Sequence, residues 1–422
     1  MQRNLALILA LLVTVLLAAL LRTAALADTA AELTDGCVIR GRDGKTIYSL
    51  TDGSYTSMWS AYGDKARLTV TAPEDAVISG VYLQFYNYAC AFDVQVRDAE
   101  RAWQTVASCG DGYLTGFVAL PEGAQEIRIR PQGNADRLSL AEVHVFGEGE
   151  LPAWVQRWQP PHEKADLLLI SAHPDDELLF MGGTIPYYAG ERGMAVQVAY
   201  LVPSTPYRKL ELLDGLWLCG NTHYPDIGEF PDHFATSIRG MYAAGGWKEA
   251  RVLEYVTWLY RRYQPEVVLT HDVSGEYGHG AHRVAADIAQ KAVAAAADEG
   301  YRLWNREERP VWQIKKLYLH LYEQGAMRMD WRVPLAAFGG RTAFDMAEDA
   351  FRCHVSQQHT EYRVEDFGPY DNARFGLAYT SVGEDEQKND FFENIFDSIG
   401  RQCAECRGTG SDEVYEDAWH RQ

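Results

Sequence analysis

Hydrophobic and polar positions alternate with a period of two along the first third of the chain. Between residues 37 and 148, short runs such as ARLTVTA, VISGVYLQFY, FDVQVRD and EIRIRPQG are separated by clusters of Gly, Asp and Pro. Alternation of this kind is typical of strands that bury one face, and many short strands at this spacing indicate an antiparallel sandwich. We therefore expect an all-β, jelly-roll-like domain over residues 37–148.

The pattern changes after a linker that contains several prolines, residues 149–165. Continuous apolar runs now appear, DLLLISA, AVQVAYLV (195–202), EVVLTHD (266–272) and KKLYLHLY (315–322), and segments with helical spacing lie between them. Strands that are apolar on both faces and alternate with helices indicate a parallel sheet covered on both sides. The sequence therefore predicts an α/β domain with a mostly parallel sheet over residues 166–400.

Charged residues follow the first of these runs in the motif HPDDE, which contains His173, Asp175, Asp176 and Glu177. Burying acids this close together costs several kcal/mol unless a positive partner compensates, and a metal ion is the simplest partner. Ligands of open α/β sheets bind beyond the carboxyl ends of the strands, where this motif lies. On its own, HPDDE could instead be a helix cap whose acids accept bonds from helix amides.

A second motif, THDVSGEYGHGAH, follows the third apolar run, and its His279 and His282 are three residues apart where a helix begins. A lone pair of helical histidines is more often surface or core than ligand. Two such motifs at strand ends of one domain nevertheless suggest one divalent metal. Its ligands would be His173, Asp176 and His282, since a catalytic zinc keeps about three protein ligands and a water. Asp175 and His279 would then be free for proton transfer.

Composition limits the partners and the compartment. The chain has 422 residues, 47% of them hydrophobic, and a formal net charge of −20, which argues against nucleic acid because phosphate binding needs clustered Lys and Arg.

At the start, Arg3 precedes an apolar run up to Leu21 and small residues ending at Ala27. This layout predicts a secretory signal over residues 1–27, or an uncleaved membrane anchor because Arg22 follows the run directly. Either reading places the folded part in the secreted or cell-surface compartment.

Seven cysteines leave one without a partner in an exported chain. We expect one disulfide among Cys37, Cys90 and Cys109. Cys403 and Cys406 form a CxxC, but no second CxxC completes a zinc knuckle, so a local disulfide and plain thiols both remain open. The polar tail, residues 401–422, is expected to be loosely ordered.

The two motifs resemble those of the PIG-L, or LmbE-like, family of metal-dependent de-N-acetylases. The resemblance covers roughly residues 165–330 and includes RKLELLDGLWLCG (208–220), which is similar to the family helix that begins Arg-x-x-Glu, here Arg208 and Glu211. It implies a Rossmann-like fold and hydrolysis of the acetamide of an N-acetylglucosamine-type sugar, with release of acetate and a free amine. The implied partner is thus an N-acetylated amino sugar or glycan.

The resemblance also implies residue roles. His173, Asp176 and His282 would bind the metal and Asp175 would be the general base, while Tyr277 and His279 would polarise or protonate the acetyl group. A cationic His279 or the Tyr277 hydroxyl could supply the oxyanion donor, whose loss typically costs about 10²–10³ in rate. The metal would be Zn²⁺ or Fe²⁺, since two His and one Asp accept both.

One position departs from the family pattern. Many members have Asp directly before the last histidine, where this chain has Ala281. The partner that orients His282 would therefore come from elsewhere, and Asp272 is the candidate. Arg208 and Asp232 are further candidates for substrate or supporting contacts, the latter in the segment 222–237.

A second resemblance concerns LTDGSYTSMWSAYGD (50–64), which is similar to the opening of discoidin-like, galactose-binding-like modules. Such a domain could bind carbohydrate or a surface, or serve as a spacer that packs around a buried Trp59. Aromatic residues are also dense after residue 301, where a glycan groove and ordinary core are both open readings. His354 and His359 are expected to be helix-end residues.

Two rival functions use the same residues. A non-catalytic glycan-binding protein could retain the metal site, although a free Asp175 beside a metal argues against it. A metal hydrolase of another amide or ester bond would share every residue named above. The sequence does not select among a sugar conjugate, a cell-wall polymer, a glycolipid and a host glycan as the acceptor.

Overall fold

The computed structural model of the chain describes residues 29–110, 112–132 and 137–395. The predicted signal or anchor (1–27), the Cys403 and Cys406 pair and the tail 401–422 lie outside the described residues. The chain divides into two compact units between Trp158 and Gln159, within the segment expected to be a linker. Among the described residues, no helix combines the length and the apolar composition needed to cross a bilayer.

The first unit consists of two antiparallel sheets, as the period-two pattern predicts for an all-β segment. Burial alternates along the strands, for example at Leu68 and Val70, whose side chains are buried while their neighbours are half-buried. The strands are β1 (Val38–Gly41), β2 (Trp59–Tyr62), β3 (Leu68–Thr71), β4 (Ile78–Phe85), β5 (Phe92–Arg97), β6 (Trp103–Cys109), β7 (Thr115–Ala124), β8 (Glu126–Pro131) and β9 (Arg137–Phe146). One sheet has the order β1-β3-β8-β5-β6 and the other β2-β9-β4-β7.

Two details of this unit differ from the sequence-based expectations. Cys37 and Cys90 are free thiols, so the disulfide expected within the trio with Cys109 is not formed. Trp59 is half-buried rather than buried. The discoidin-like identity of the unit stays a prediction.

The second unit is built on a seven-stranded mixed sheet. Its strands are β10 (Leu167–Ser171), β11 (Val196–Tyr200), β12 (Asp226–Ile227), β13 (Val267–Thr270), β14 (Lys316–His320), β15 (Met327–Arg328) and β16 (Arg374–Thr380). Their order is β12-β11-β10-β13-β14-β16-β15, in which the first five are parallel, β16 pairs antiparallel with β14, and β15 pairs antiparallel with β16. The four continuous apolar runs form β10, β11, β13 and β14. Every residue of these four strands is buried.

Helices accompany this sheet. They are α1 (Asp176–Leu179), α2 (Pro206–Leu218), α3 (Ile238–Ala243), α4 (Glu249–Tyr263), α5 (Gly280–Ala297) and α6 (Ala343–Cys353), with a π-helical segment over Pro186–Glu191 and a 3₁₀ turn over Glu276–Gly278. Helices α4 and α5 pack on the strands through a core that includes Tyr260, Val284 and Ile288. The small residues of α5, mostly alanine, allow this close approach to the sheet.

The strand order creates a switch point between β10 and β13. The chain runs from β10 to β11 and β12 on one side, then returns to add β13 and β14 on the other. Loops that leave β10 and β13 at their carboxyl ends therefore diverge and open a crevice, which is where open α/β sheets bind ligands. HPDDE follows β10 and THDVSGEYGHGAH follows β13.

Candidate metal centre and active site

Three predicted ligands meet at this crevice. Asp176 Oδ2 lies 3.0 Å from His173 Nδ1 and 3.1 Å from His282 Nε2, and the two nitrogens are 3.3 Å apart. Ligand atoms bonded to one zinc-like ion at roughly 2.0–2.2 Å in tetrahedral geometry are about 3.3–3.6 Å from one another. These three ligand atoms, which we call the triangle, are therefore spaced nearly as one divalent ion requires. The residues that carry them are all buried.

The partner that orients His282 is Glu276, which corrects the expectation of Asp272. Glu276 Oε2 accepts from His282 Nδ1 at 2.7 Å, while Asp272 contributes its backbone N–H to Glu276 Oε1 at 3.1 Å. Because Nδ1 of His282 carries the donated proton, Nε2 keeps its lone pair for the ligand triangle. Glu276 starts the tight turn Glu276–Gly278, and this turn brings its carboxylate back under the first turn of α5.

Glu276 also binds two histidines that the sequence analysis did not select. His271 Nδ1 lies 2.8 Å from Oε2, and His320 Nδ1 lies 2.6 Å from Oε1. Both imidazoles and Glu276 are fully buried. The Glu276 carboxylate thus contacts imidazoles at the end of β13, at the end of β14 and at the start of α5. It links these three elements next to the triangle.

Two possible ligand groups overlap this triangle, His173 with His279 and His282, and Asp176 with His271 and His282. His271 Nε2, however, accepts the backbone N–H of Ala172 at 2.8 Å, and its Nδ1 faces Glu276. Its lone pair is therefore already in use, which favours His173 over His271 as the third ligand.

The electrostatics of the triangle fit a cation. Burial lowers the pKa of His282, but Asp176 and Glu276 outweigh burial and raise this pKa to about 10. Burial would raise the pKa of Asp176, yet the contacts with His282 and His173 hold it well below its usual range. The site therefore takes up positive charge, a proton on His282 in the absence of a metal, and a divalent ion would meet the same demand.

Asp175 lies beside the triangle without belonging to it. Its backbone has φ = 112°, a conformation that residues other than glycine rarely adopt. The N–H of Asp175 donates to Glu177 Oε2 at 3.0 Å, and the Asp175 carboxylate lies 3.0 Å from Arg208 Nη2. Arg208 also donates to Pro174 O. Helix α2, which carries Arg208, therefore stabilises the turn that contains Asp175.

Burial raises the pKa of the Asp175 carboxyl well above its usual range, and the guanidinium of Arg208 opposes the rise. A carboxyl whose pKa is shifted upward by burial is suited to take and return a proton near neutral pH. The structure thus gives Asp176 and its neighbour Asp175 opposite environments, which lower the pKa of Asp176 and raise that of Asp175.

Two hydrogen-bond donors face the triangle from the turn before α5. Tyr277 Oη is 3.3 Å from His282 Nε2, and Tyr277 has a strained backbone with φ = 43°. His279 caps α5 by accepting the Ala281 N–H on Nδ1 at 3.1 Å, which leaves the proton on Nε2. Burial and the neighbouring His173 lower the pKa of His279 to about 3, so this donor is neutral rather than cationic as the sequence analysis allowed.

The remaining candidates lie farther out. Asp232 Oδ1 is 3.8 Å from His173 Nε2, and its side chain is half exposed at the mouth of the crevice. Asp272 is half-buried in the turn after β13. His354 follows α6 directly and is buried with Nε2 3.8 Å from Glu177 Oε1, and His359 is exposed. Neither histidine belongs to a possible ligand group among the described residues.

The region that contains both motifs is similar to proteins of known families. Residues 168–293 match the family model PIG-L, GlcNAc-PI de-N-acetylase. A protein of Rhodococcus erythropolis described as 1D-myo-inositol 2-acetamido-2-deoxy-alpha-D-glucopyranoside deacetylase is 30% identical over 207 residues, which are 40% of this chain and 68% of that protein. The chain belongs to the PIG-L family. A protein of the same description from Streptomyces avermitilis is 29% identical over 210 residues, 42% of this chain and 70% of its own length.

Among solved structures, N,N'-diacetylchitobiose deacetylase from Pyrococcus horikoshii is similar with a TM-score of 0.35 and 20% identity, over 48% of this chain and 74% of that chain. The PIG-L match includes both motifs, so the triangle, Asp175 and the turn before α5 all lie within it. PIG-L deacetylases depend on a metal, in agreement with the ligand geometry described above.

Proposed function

We propose that this protein is an exported, zinc-dependent hydrolase that removes the N-acetyl group from an N-acetylglucosamine-type sugar or glycoconjugate, with Fe²⁺ as the other metal that the ligands would accept. One observation carries the proposal. Asp175 is a buried carboxylate that sits beside a complete ligand triangle without joining it, at a backbone conformation that costs energy. A protein that only binds glycans has no use for such a carboxylate.

The metal would be held by His173, Asp176 and His282, and when bound it would lower the pKa of water toward about 7 and polarise the acetyl carbonyl. Asp175 would take a proton from the attacking water and return it to the nitrogen of the leaving amine, as general base and then general acid. Arg208 holds this carboxylate in place through the contact at 3.0 Å.

Negative charge develops on the acetyl oxygen as the carbonyl is attacked, and two protein groups are placed to stabilise it. The Tyr277 hydroxyl lies 3.3 Å from His282 Nε2, and the ring of neutral His279 lies 4.7 Å from that of His173, centroid to centroid. Fixed donors in a site shielded from water stabilise such an oxyanion more strongly than water does.

The proposal of export rests on residues 1–27, whose charged start, apolar run and small residues ending at Ala27 are those of a secretory signal or anchor. Outside the cytoplasm, a glycan or glycoconjugate is the most accessible N-acetylated sugar. The rival hydrolase of another amide or ester bond uses the same residues, and product analysis separates the two.

The test is metal content and acetate release from the full chain purified in mild detergent. The parent should hold about one divalent ion per chain and release acetate from N-acetylglucosamine glycosides. His282→Ala should lose the ion and the activity. Asp175→Asn should keep the ion but lose roughly 10²–10⁴-fold in kcat, the size of a general-base contribution.

Asp272→Asn is the matched control, since Asp272 is a half-buried acid in the turn after β13 and its side chain lies outside the triangle. It should keep both ion and activity. A parent that remains metal-free after incubation with Zn²⁺ or Fe²⁺ would exclude the hydrolase. A metal-loaded parent that releases a product other than acetate would replace the deacetylase by another hydrolase.

A further inference from the structure

An exposed aromatic ring lies at the mouth of the crevice. Phe234 is 73% exposed, and its ring meets that of His279 edge to face, with centroids 5.2 Å apart. Single exposed hydrophobic residues are common on protein surfaces and need no explanation by themselves. Phe234 differs because its neighbour His279 is one of the donors at the metal triangle.

The contact continues as a row of rings across the site. His279 lies 5.7 Å from Tyr277, and Tyr277 lies 4.9 Å from Tyr362 at a shallow angle of 33°. Phe234, His279, Tyr277 and Tyr362 thus form a continuous aromatic row, with the metal triangle beside its two central members. The half-buried Tyr362 ends the row opposite to Phe234.

The loop that carries Phe234 is fixed on both sides of the ring. Before it, Pro231 O accepts from the indole of the buried Trp247 at 2.7 Å. After it, Ala235 O accepts the N–H of Gly280, the first residue of α5, at 2.6 Å. These contacts fix the backbone on both sides of Phe234, so a ligand that stacks on the ring would not have to order the loop first.

A negative charge near the Phe234 end of the row favours uncharged sugars over acidic ones. Asp232, two residues before Phe234, presents a half-exposed carboxylate 3.8 Å from His173 Nε2. A carboxylate accepts hydrogen bonds from sugar hydroxyls but repels phosphate and carboxylate groups. A flat apolar ring beside a hydroxyl acceptor suits a pyranose, which has an apolar C–H face and a polar rim.

We propose that Phe234 is the stacking platform of a second sugar subsite, and that it binds the ring attached to the N-acetylated sugar in an uncharged oligosaccharide. The inference rests on the proposed function, because it takes the triangle to hold the N-acetylated ring. It deepens that function by naming the substrate class as oligosaccharide rather than monosaccharide.

The experiment compares N,N',N''-triacetylchitotriose (chitotriose for short), an uncharged trisaccharide of N-acetylglucosamine, with the monosaccharide. Binding to the full chain is measured by calorimetry in an Asp175→Asn background, where turnover does not interfere, and kcat/KM for acetate release is measured in the parent background. Phe234→Ala should weaken chitotriose binding about tenfold and lower the ratio of kcat/KM for chitotriose over monosaccharide by a similar factor. Phe234→Trp should restore both to within about twofold.

Trp304 supplies the control, since it is 86% exposed and follows the far end of α5. Trp304→Ala should leave both measurements unchanged. Equal binding of chitotriose by the Phe234→Ala variant and its parent would overturn the subsite, even if acetate release confirms the deacetylase. Binding that depends on Phe234 without acetate release would support the subsite and refute the deacetylase.

Discussion

Replacing Glu276 by glutamine tests the framework beneath the proposed metal. Glu276 accepts His271 and His282 on Oε2, at 2.8 and 2.7 Å, and His320 and a backbone N–H on Oε1, at 2.6 and 3.1 Å. Glutamine keeps the shape but has one acceptor oxygen and one NH₂ group. Whichever way the amide is oriented, its NH₂ group faces two donors that the carboxylate had satisfied.

The magnitude follows from burial and charge. A buried hydrogen bond to a charged group contributes about 1.5–3 kcal/mol, and a donor left without an acceptor adds about 1–3 kcal/mol of desolvation. We therefore expect Glu276→Gln to lower the free energy of unfolding of the metal-free protein by about 3 kcal/mol. Carboxylates that orient a ligating histidine typically contribute 10–100-fold to metal affinity, so the Kd for Zn²⁺ should rise by about that factor.

The assay is competition for Zn²⁺ with a coloured chelator, alongside chemical denaturation of the metal-free chain. Asp272→Asn is the matched control, because this half-buried carboxylate is four residues away and only its backbone N–H reaches Glu276. Its Kd should stay within about threefold of the parent. An unchanged Kd for Glu276→Gln, or an equal loss for Asp272→Asn, would refute the assignment of Glu276 as the partner of His282.

Three further predictions concern stability. Burial raises the pKa of Glu142 from 4.5 to about 8, so the folded state keeps a proton there that the unfolded chain releases. The resulting stabilisation is complete below pH 4.5 and lost as the pH rises to 8, and Glu142→Gln should flatten this part of the unfolding midpoint against pH. Lys316→Met leaves Asp385 buried without its cation and should cost about 3–5 kcal/mol in denaturant unfolding. In thermal melts, Gly280→Ala should destabilise by about 1–3 kcal/mol because its Cβ would lie 2.7 Å from a backbone oxygen, whereas Gly245→Ala, in open space, should not.

The sequence predicts those parts of the fold that have a strong pattern of hydrophobic residues. The long apolar runs form β10, β11, β13 and β14 because strands buried on both faces need apolar residues at most positions. The two-residue strands β12 and β15 have no period to detect, and their pairing depends on the strands beside them. Strand order is also hidden, since the runs do not say that β13 pairs with β10 rather than with β12.

The same distinction applies to the site. HPDDE places His173 and Asp176 within one turn, so their proximity follows from local spacing. Glu276, His271 and His320 meet only because β13 and β14 are neighbours in the sheet and because a strained turn folds back beneath α5. The segment EYG in the second motif places Glu276 in a tight turn before two histidines, and this pattern could have indicated it as a partner of His282. Asp272 is also close to His282 along the chain, however, so sequence spacing alone does not distinguish the two acids.

The geometry also explains how three consecutive acids can be buried beside one metal. Burial raises the pKa of Glu177 to about 8, which favours the uncharged form of this side chain near neutral pH. Asp175 faces the guanidinium of Arg208 at 3.0 Å. Asp176 alone would then bring a negative charge to the ligand set, because imidazoles bind a metal in their neutral form. A divalent ion in this triangle would keep net positive charge, which is what polarising an amide carbonyl requires, and a second ligating carboxylate would remove it. The three acids of HPDDE thus have different environments, which suit Asp176 to the proposed role of ligand, Asp175 to that of proton carrier and Glu177 to support of the Asp175 backbone.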